Sequence, residues 1–266
     1  MDKILLSFDL EEFDIPEEYG QTLAAEEKLE RSREGLIPLL GLLKKLNITA
    51  TFYTTAFFAQ ANPGLIKEIC LDHEIASHGF YHSSFRNEDI LSSKQALERI
   101  TGKVLSGFRM ARLMPVDETL IAKAGYIYHS SLNPTWIPGR YNNLSKPTLP
   151  FVSSGIIQLP ASVASALRIP LFWISFKVFP EGVYQRLALR TLRKKHYLNI
   201  YFHPWEFADI SSYKIPGYTK KIYGIELLRR LETLLVLLKE KGRFVQSSEY
   251  CFDFLQTLQH PDAPRF

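Results

Sequence analysis

The chain has 266 residues, ordinary for a barrel that uses about 250 as one unit, so a single domain over 1–266 is expected. Apolar residues make up 46% and aromatics 13%, which excludes wholesale disorder and leaves material for a large core. A balance of 32 basic against 28 acidic residues gives a formal charge of +4, and the densest basic run, RTLRKK, suits a solvated helix face, so no nucleic-acid partner is implied.

In chain order, KILLSF is a first β-rich apolar run, and EEKLERSREGLIPLLGLLKKLN follows with Leu and Ile at helical spacing. ITATFYTT predicts a strand, NPGLIKEIC a short helix opened by Asn62 and Pro63, and EIASHGF another strand. The helix NEDILSSKQALERITG takes Asn87 as its cap and Gly102 as its stop. VLSGFRM, the helix DETLIAKAG, the strand YIYHSS and the run GIIQLPA continue the alternation, interrupted at 132–155 by a segment rich in Pro, Asn, Ser and Gly. That segment is too long for an ordinary connection and reads as a functional loop. EGVYQRLALRTLRKK then leads into LNIYFHPWEF, and GIELLRRLETLLVLLKEKG into RFVQSS. Repeated strand–helix–strand units build a parallel sheet, open or closed, and the number of runs favours closure into an α/β barrel.

Cys70 and Cys251 lie far apart in apolar surroundings and are expected to be buried thiols. The start, MDKILLSFDLEEFD, is too short in apolar residues for a signal peptide, and IPLFWISFKVF is too short for a membrane span, so a cytoplasmic protein is expected.

In a parallel barrel, chemistry gathers where strands end, and here the apolar runs end in polar residues of particular types. The first run ends in Asp9, Glu11 and Glu12, and the third in His78 and His82. Others end in Arg109, His129 and His203. Two imidazoles four apart suit a divalent metal when a carboxylate joins them, although chance alone also produces such a pair. Strand alternation places Asp9 and Glu11 on one face, where one carboxylate can bind metal and the other accept a proton; a solvated acidic loop is the plainer reading. Arg109, at the end of a buried strand, needs an anion, and Asp9 is the natural one. His203 reads either as a hydrogen-bonded core residue or as a general acid.

Taken together, SFDLEEF, SHGFYHSSF, GFRMAR, GYIYHSSLNPTWIPGRYN and YFHPWEF resemble the five motifs of the polysaccharide deacetylase family with the NodB homology domain, carbohydrate esterase family 4. The likeness covers about residues 5–207 and is similar to the branch whose first motif reads Asp-x-Glu. It implies a single-domain distorted (β/α)7-type barrel that hydrolyses an acetamide or acetyl ester on a sugar. Asp9 would be the general base on a metal-bound water, Arg109 would orient it, and His203 would protonate the departing amine. Glu11, His78 and His82 would hold one divalent metal, with zinc favoured and cobalt, nickel, manganese or iron compatible. The Arg112 amide would face the oxyanion, while Trp136, Tyr141 and Trp205 would line a groove for an N-acetylated saccharide, nucleotide- or lipid-linked if the location is cytoplasmic.

Two departures from the family pattern bear on this. Ala111 stands where the third motif usually has proline, which loosens the turn at the oxyanion donor. His129 stands where the fourth motif usually has the aspartate that pairs with the catalytic histidine. The pKa of His203 is then expected to fall unless Glu206 or another carboxylate serves it. A hydrolase of a non-sugar amide and a non-catalytic binding module are the competing readings.

Overall fold

The computed structural model describes residues 1–164 and 167–259; residues 165–166 and 260–266, which the expected single domain also took in, lie outside the described residues. Strand β1 (Lys3–Leu10) is buried along almost its whole length, as an unbroken apolar run predicts for a strand covered on both faces. Helix α1 (Ala25–Leu46) buries Leu29, Leu36, Leu39, Leu42 and Leu43, the stripe its sequence pattern predicts. Glu26 and Glu27 in its first turn and Lys44 and Lys45 in its last suit the helix dipole, and Asn47 ends it in a left-handed conformation.

Strand β2 (Thr51–Thr54), helices α2 (Ala56–Ala61) and α3 (Pro63–Asp72), strand β3 (Glu74–Ser77) and helix α4 (Asp89–Thr101) follow. Helix α4 stops at Gly102 as expected, but Asn87 is not its cap: Glu88 holds that position, without a side-chain capping bond. Strand β4 (Gly107–Phe108), helix α5 (Glu118–Lys123) and strand β5 (Tyr128–His129) come next, both strands shorter than their apolar runs. Within 132–155, β6 (Trp136–Ile137) and β7 (Tyr141–Asn142) form an antiparallel pair, and β8 (Phe151–Ser153) turns back onto β9 (Ile156–Gln158). Strands β10 (Val163–Ala164) and β11 (Ile169–Pro170) pair antiparallel. Helices α6 (Trp173–Val178) and α7 (Glu181–Lys195), strand β12 (Tyr197–Phe202), helix α8 (Gly224–Lys239), strand β13 (Arg243–Phe244) and helix α9 (Ser247–Gln259) complete the chain.

The main sheet runs β12-β1-β2-β3-β4-β5-β9-β8, with β13 beside the start of β1. Its pairings are parallel except β8 with β9. Alternate residues serve two cores. Ile4, Leu6, Phe8, Phe52, Phe108 and Ile200 face outward under the helices, among Leu36, Leu39 and Leu234. Leu5, Tyr53, Ala76, Tyr128, Ile157 and Tyr197 form a second cluster on the other face, and the sheet curls around it.

Hydrogen bonds join the two sides of the curl. The Ser162 amide donates to the Asn199 carbonyl at 2.8 Å, and the Asn199 amide donates to Ser162 Oγ at 2.9 Å. The Asn199 side-chain amide reaches the carbonyls of Leu159 and Pro160 at 3.3 and 3.2 Å. The fold is thus the α/β barrel-like architecture expected, a curled parallel sheet sheathed in helices. Cys70 and Cys251 are buried free thiols, and no helix among the described residues is long and apolar enough to cross a membrane.

Candidate active site

The polar residues that follow the strands meet at one end of the curl. Glu11 comes just after β1, and His78 and His82 follow β3. Their ligand atoms, one from each residue, all lie within 4.8 Å of one another. His78 Nε2 and His82 Nε2 each stand 3.1 Å from Glu11 Oε2. Glu12, the next carboxylate, accepts from the Thr55 hydroxyl at 2.6 Å and from the His82 backbone amide at 3.4 Å.

Neighbouring groups fix which nitrogen each imidazole presents. His78 Nδ1–H donates to the Arg109 carbonyl at 2.9 Å, and His82 Nδ1–H donates to Asp14 Oδ1 at 2.7 Å. A carbonyl and a carboxylate both need a donor there, so Nε2 of each ring is left to accept. Trp205 Nε1 donates to Glu11 Oε1 at 3.2 Å and holds that carboxylate in place. Burial opposes a charge on His82, but Glu11 and Asp14 outweigh it and push its pKa up to about 9. Two imidazoles and a carboxylate, with a carbonyl and a carboxylate behind the rings, fit a divalent first-row ion, zinc among them.

Beside the triad stands an acid–base pair. Arg109, 1% exposed, places Nη1 at 2.5 Å from Asp9 Oδ1, donates through Nε to the Ser130 carbonyl at 2.9 Å, and lies 3.8 Å over the Tyr53 ring. The second Asp9 oxygen is left facing inward, 4.0 Å from His78 Nε2 and 3.9 Å from His203 Nε2. Burial would raise the Asp9 pKa, but Arg109, His78 and His203 overcome it and hold the carboxyl below its usual range. His203 Nδ1–H donates to Glu206 Oε1 at 2.9 Å, and the other Glu206 oxygen lies 2.8 Å from Lys177 Nζ. Lys177 and Glu206 are fully buried.

The carboxylate named as the exception, Glu206, does serve His203, and its pKa does not fall. Burial does disfavour its charge, yet Glu11, Glu206 and Asp9 together raise its pKa. Strand alternation points His129 outward, away from the inner cluster. Tyr128 joins the inner cluster, whereas the His129 ring packs 5.9 Å from Phe108, a residue of the outer core. Burial lowers the His129 pKa to about 4. Glu206, three residues beyond His203, stands on its Nδ1 side instead.

The remaining sequence candidates are dispersed. Trp205 is 2% exposed and stacks on His203 with ring centroids 5.0 Å apart, so it backs the site rather than lining a groove. Trp136 is 59% exposed on its hairpin, and the Tyr141 hydroxyl accepts from Asn133 at 3.1 Å. Arg112 and Leu113 both adopt left-handed backbone, φ 57° and 51°, a strained pair at the turn where Ala111 replaces the usual proline. The Arg112 guanidinium binds Asp14 and Glu18, which anchors that turn to the carboxylate behind His82. Sequence reasoning missed Asp14 and Lys177. Asp14 sat within an acidic cluster, and a lone Lys within FWISFKVF was the only trace of the other.

Residues 32–128 match the family model described as polysaccharide deacetylase. Over those residues the chain is similar to the polysaccharide deacetylases. Solved structures repeat the fold. A Mycobacterium smegmatis protein described as a polysaccharide deacetylase is 18% identical with TM-score 0.65, covering 99% of this chain and 92% of that one. A Pseudomonas aeruginosa PAO1 protein of the same description is 18% identical with TM-score 0.67, over 97% and 92% of the two chains. Puue allantoinase is 17% identical with TM-score 0.67, over 97% and 91%. At these identities the likeness is one of fold. A search of curated proteins finds no match. The curled sheet is shared with these structures, and in this chain His203 pairs with Glu206.

Proposed function

We propose that this protein is a metal-dependent hydrolase that removes an acetyl group from an N-acetylated saccharide. The convergence of Glu11, His78 and His82 within 4.8 Å, flanked by Asp9 and His203, carries this reading. A divalent ion held by those three residues would supply Lewis acidity, lowering the pKa of water and polarising the acetyl carbonyl.

The protein's own residues supply the proton transfers. Asp9 is held as a carboxylate, with Oδ1 engaged by Arg109 and Oδ2 available to accept the proton of the attacking water. His203 carries a proton on Nε2 because Glu206 occupies Nδ1 and nearby carboxylates favour its charged form. It delivers that proton to the leaving nitrogen as the carbon–nitrogen bond breaks, giving acetate and a free amine. One group pushed to low pKa beside one pushed to high pKa is the usual signature of a base and an acid in one site. The Arg112 amide is the proposed donor to the developing oxyanion, in keeping with the family pattern. A substrate linked to a nucleotide or lipid suits the cytoplasmic location expected from the sequence.

The test is acetate release from N-acetylated oligosaccharides by zinc-loaded protein. Wild type should release acetate, and His78→Ala should lose at least about a hundredfold in rate, since a ligand to the ion is gone. A zinc-loaded wild type that is inert across a broad panel of acetylated glycans would overturn the proposal.

A further inference from the structure

The acid proposed above is braced from behind by a side chain that no substrate atom touches. Lys177 lies fully buried on α6, one helical turn beyond Trp173, so both reach the same neighbourhood from one face of that helix. Trp173 meets the His203 ring edge-on, with centroids 5.1 Å apart at 86°, while Lys177 Nζ lies 2.8 Å from Glu206 Oε2. The same ammonium donates to the Thr219 carbonyl at 2.7 Å and stands 5.3 and 5.5 Å from the ring centres of Trp173 and Trp205. It is held in place and cannot swing away.

Burying an ammonium with a carboxylate is costly, and an apolar pair of similar volume is often as stable, so core packing alone gives no reason for Lys177. Geometry gives one. A carboxylate has two oxygens, and either can accept from an imidazole. With Oε2 paired to the ammonium, Oε1 is the oxygen that accepts from both the backbone amide and Nδ1 of His203, at 2.7 and 2.9 Å. Burial would raise the Glu206 pKa, but Lys177 leads the influences that hold it below its usual range. Glu206 in turn offsets part of the burial that lowers the pKa of Lys177. The carboxylate is thereby fixed in one orientation. The imidazole, stacked on Trp205 at 5.0 Å, is left with Nε2 facing Asp9 Oδ2 at 3.9 Å.

We infer that Lys177 is a positioning residue for the acid step: it holds Glu206 so that His203 presents Nε2–H to the departing nitrogen. This inference rests on the hydrolase reading and adds a residue to it. As the carbon–nitrogen bond breaks, its electron pair goes to nitrogen, which takes that proton, so departure of the amine depends on how well the acid is aimed. An aryl ester differs, because a nitrophenolate keeps the electron pair and leaves without a proton. Lys177 should therefore matter for amides and hardly at all for aryl esters.

The test compares zinc-loaded wild type with Lys177→Met, which removes charge and donor, and Lys177→Gln, which keeps a donor. The substrates are N-acetylglucosamine oligomers and 4-nitrophenyl acetate, each scored as zinc-dependent kcat/KM. In both variants kcat/KM should fall at least about tenfold on the amide and no more than about threefold on the ester, with Met the more damaging. The ratio of two rates from one sample does not depend on how much of it is folded, so a destabilised variant still reports. If Lys177→Met does not fold, Lys177→Gln decides. In the metal-free chain, the imidazole NMR signals of His203 should move in the variants while those of His78 stay.

Equal losses on the two substrates, or an amide-to-ester ratio like that of wild type, overturns the inference and leaves the hydrolase intact. A wild type that cleaves neither substrate, or the ester alone, refutes the amide hydrolase itself and with it the role of Lys177.

Discussion

Glu206 decides how His203 behaves. Its carboxylate accepts from both the backbone amide and Nδ1 of His203, at 2.7 and 2.9 Å, and is itself neutralised by buried Lys177. Replacing it by Gln removes the charge while keeping the shape. The raised His203 pKa should then fall, so the acid form is lost at lower pH. In Glu206→Gln the alkaline limb of the kcat–pH profile should move down by about one unit, whereas a purely structural role would lower kcat without moving the limb. Asp14 plays the matching part for His82. Asp14→Asn should weaken zinc binding by about 10- to 100-fold in a chelator competition. An unchanged affinity would remove Asp14 from the support of the metal site. Glu206 was legible in the sequence as a possible partner of His203, three residues away, whereas Asp14 was not. Asp14 acts through a histidine 68 residues away in the chain and looks like any other member of the acidic run DLEEFDIPEE.

Elements place these groups through close approach. Helix α1 crosses the short turn 204–207 that follows His203, and Gly35 is the point of contact. A Cβ there would meet the Pro204 carbonyl oxygen at 1.9 Å and the Ala208 amide at 3.0 Å. Gly35→Ala must therefore push the helix away from the turn carrying His203 and Glu206. A loss of about 1–3 kcal/mol in a denaturant melt is expected, together with lower activity even under conditions where the variant is folded. A wild-type melt and rate would show that the contact has slack. The sequence made α1 legible because its stripe of leucines repeats at helical spacing, and it made Gly102 legible as a stop. It could not give the brevity of β4 and β5, two residues each, because ladder length depends on where the neighbouring strands bend. It also could not show that Pro204 packs on Gly35.

At the scale of the whole molecule, the triad links folding to metal and to pH. Without metal, the raised pKa of His82 stabilises the fold fully below the unfolded value of 6.5, and that contribution is lost as pH rises toward about 9. Metal requires the same nitrogen without its proton, so its affinity should grow as pH rises toward 9. The rise in Tm on adding zinc should accordingly be larger at pH 8 than at pH 6, reaching several degrees once zinc exceeds its Kd by about a hundredfold. A Tm that ignores zinc at both pH values would argue against metal at this site.

By itself the sequence determined the alternation of strand and helix, the two-sided burial of the strands, and the residue types that end each strand, since these follow from local periodicity and polarity. Only the tertiary structure decided which of those ends meet. The inward or outward phase of each strand turned His129 to the flank and brought Asp9 and Arg109 together. That phase is set by pairing with neighbouring strands distant in the chain, and no local pattern encodes it.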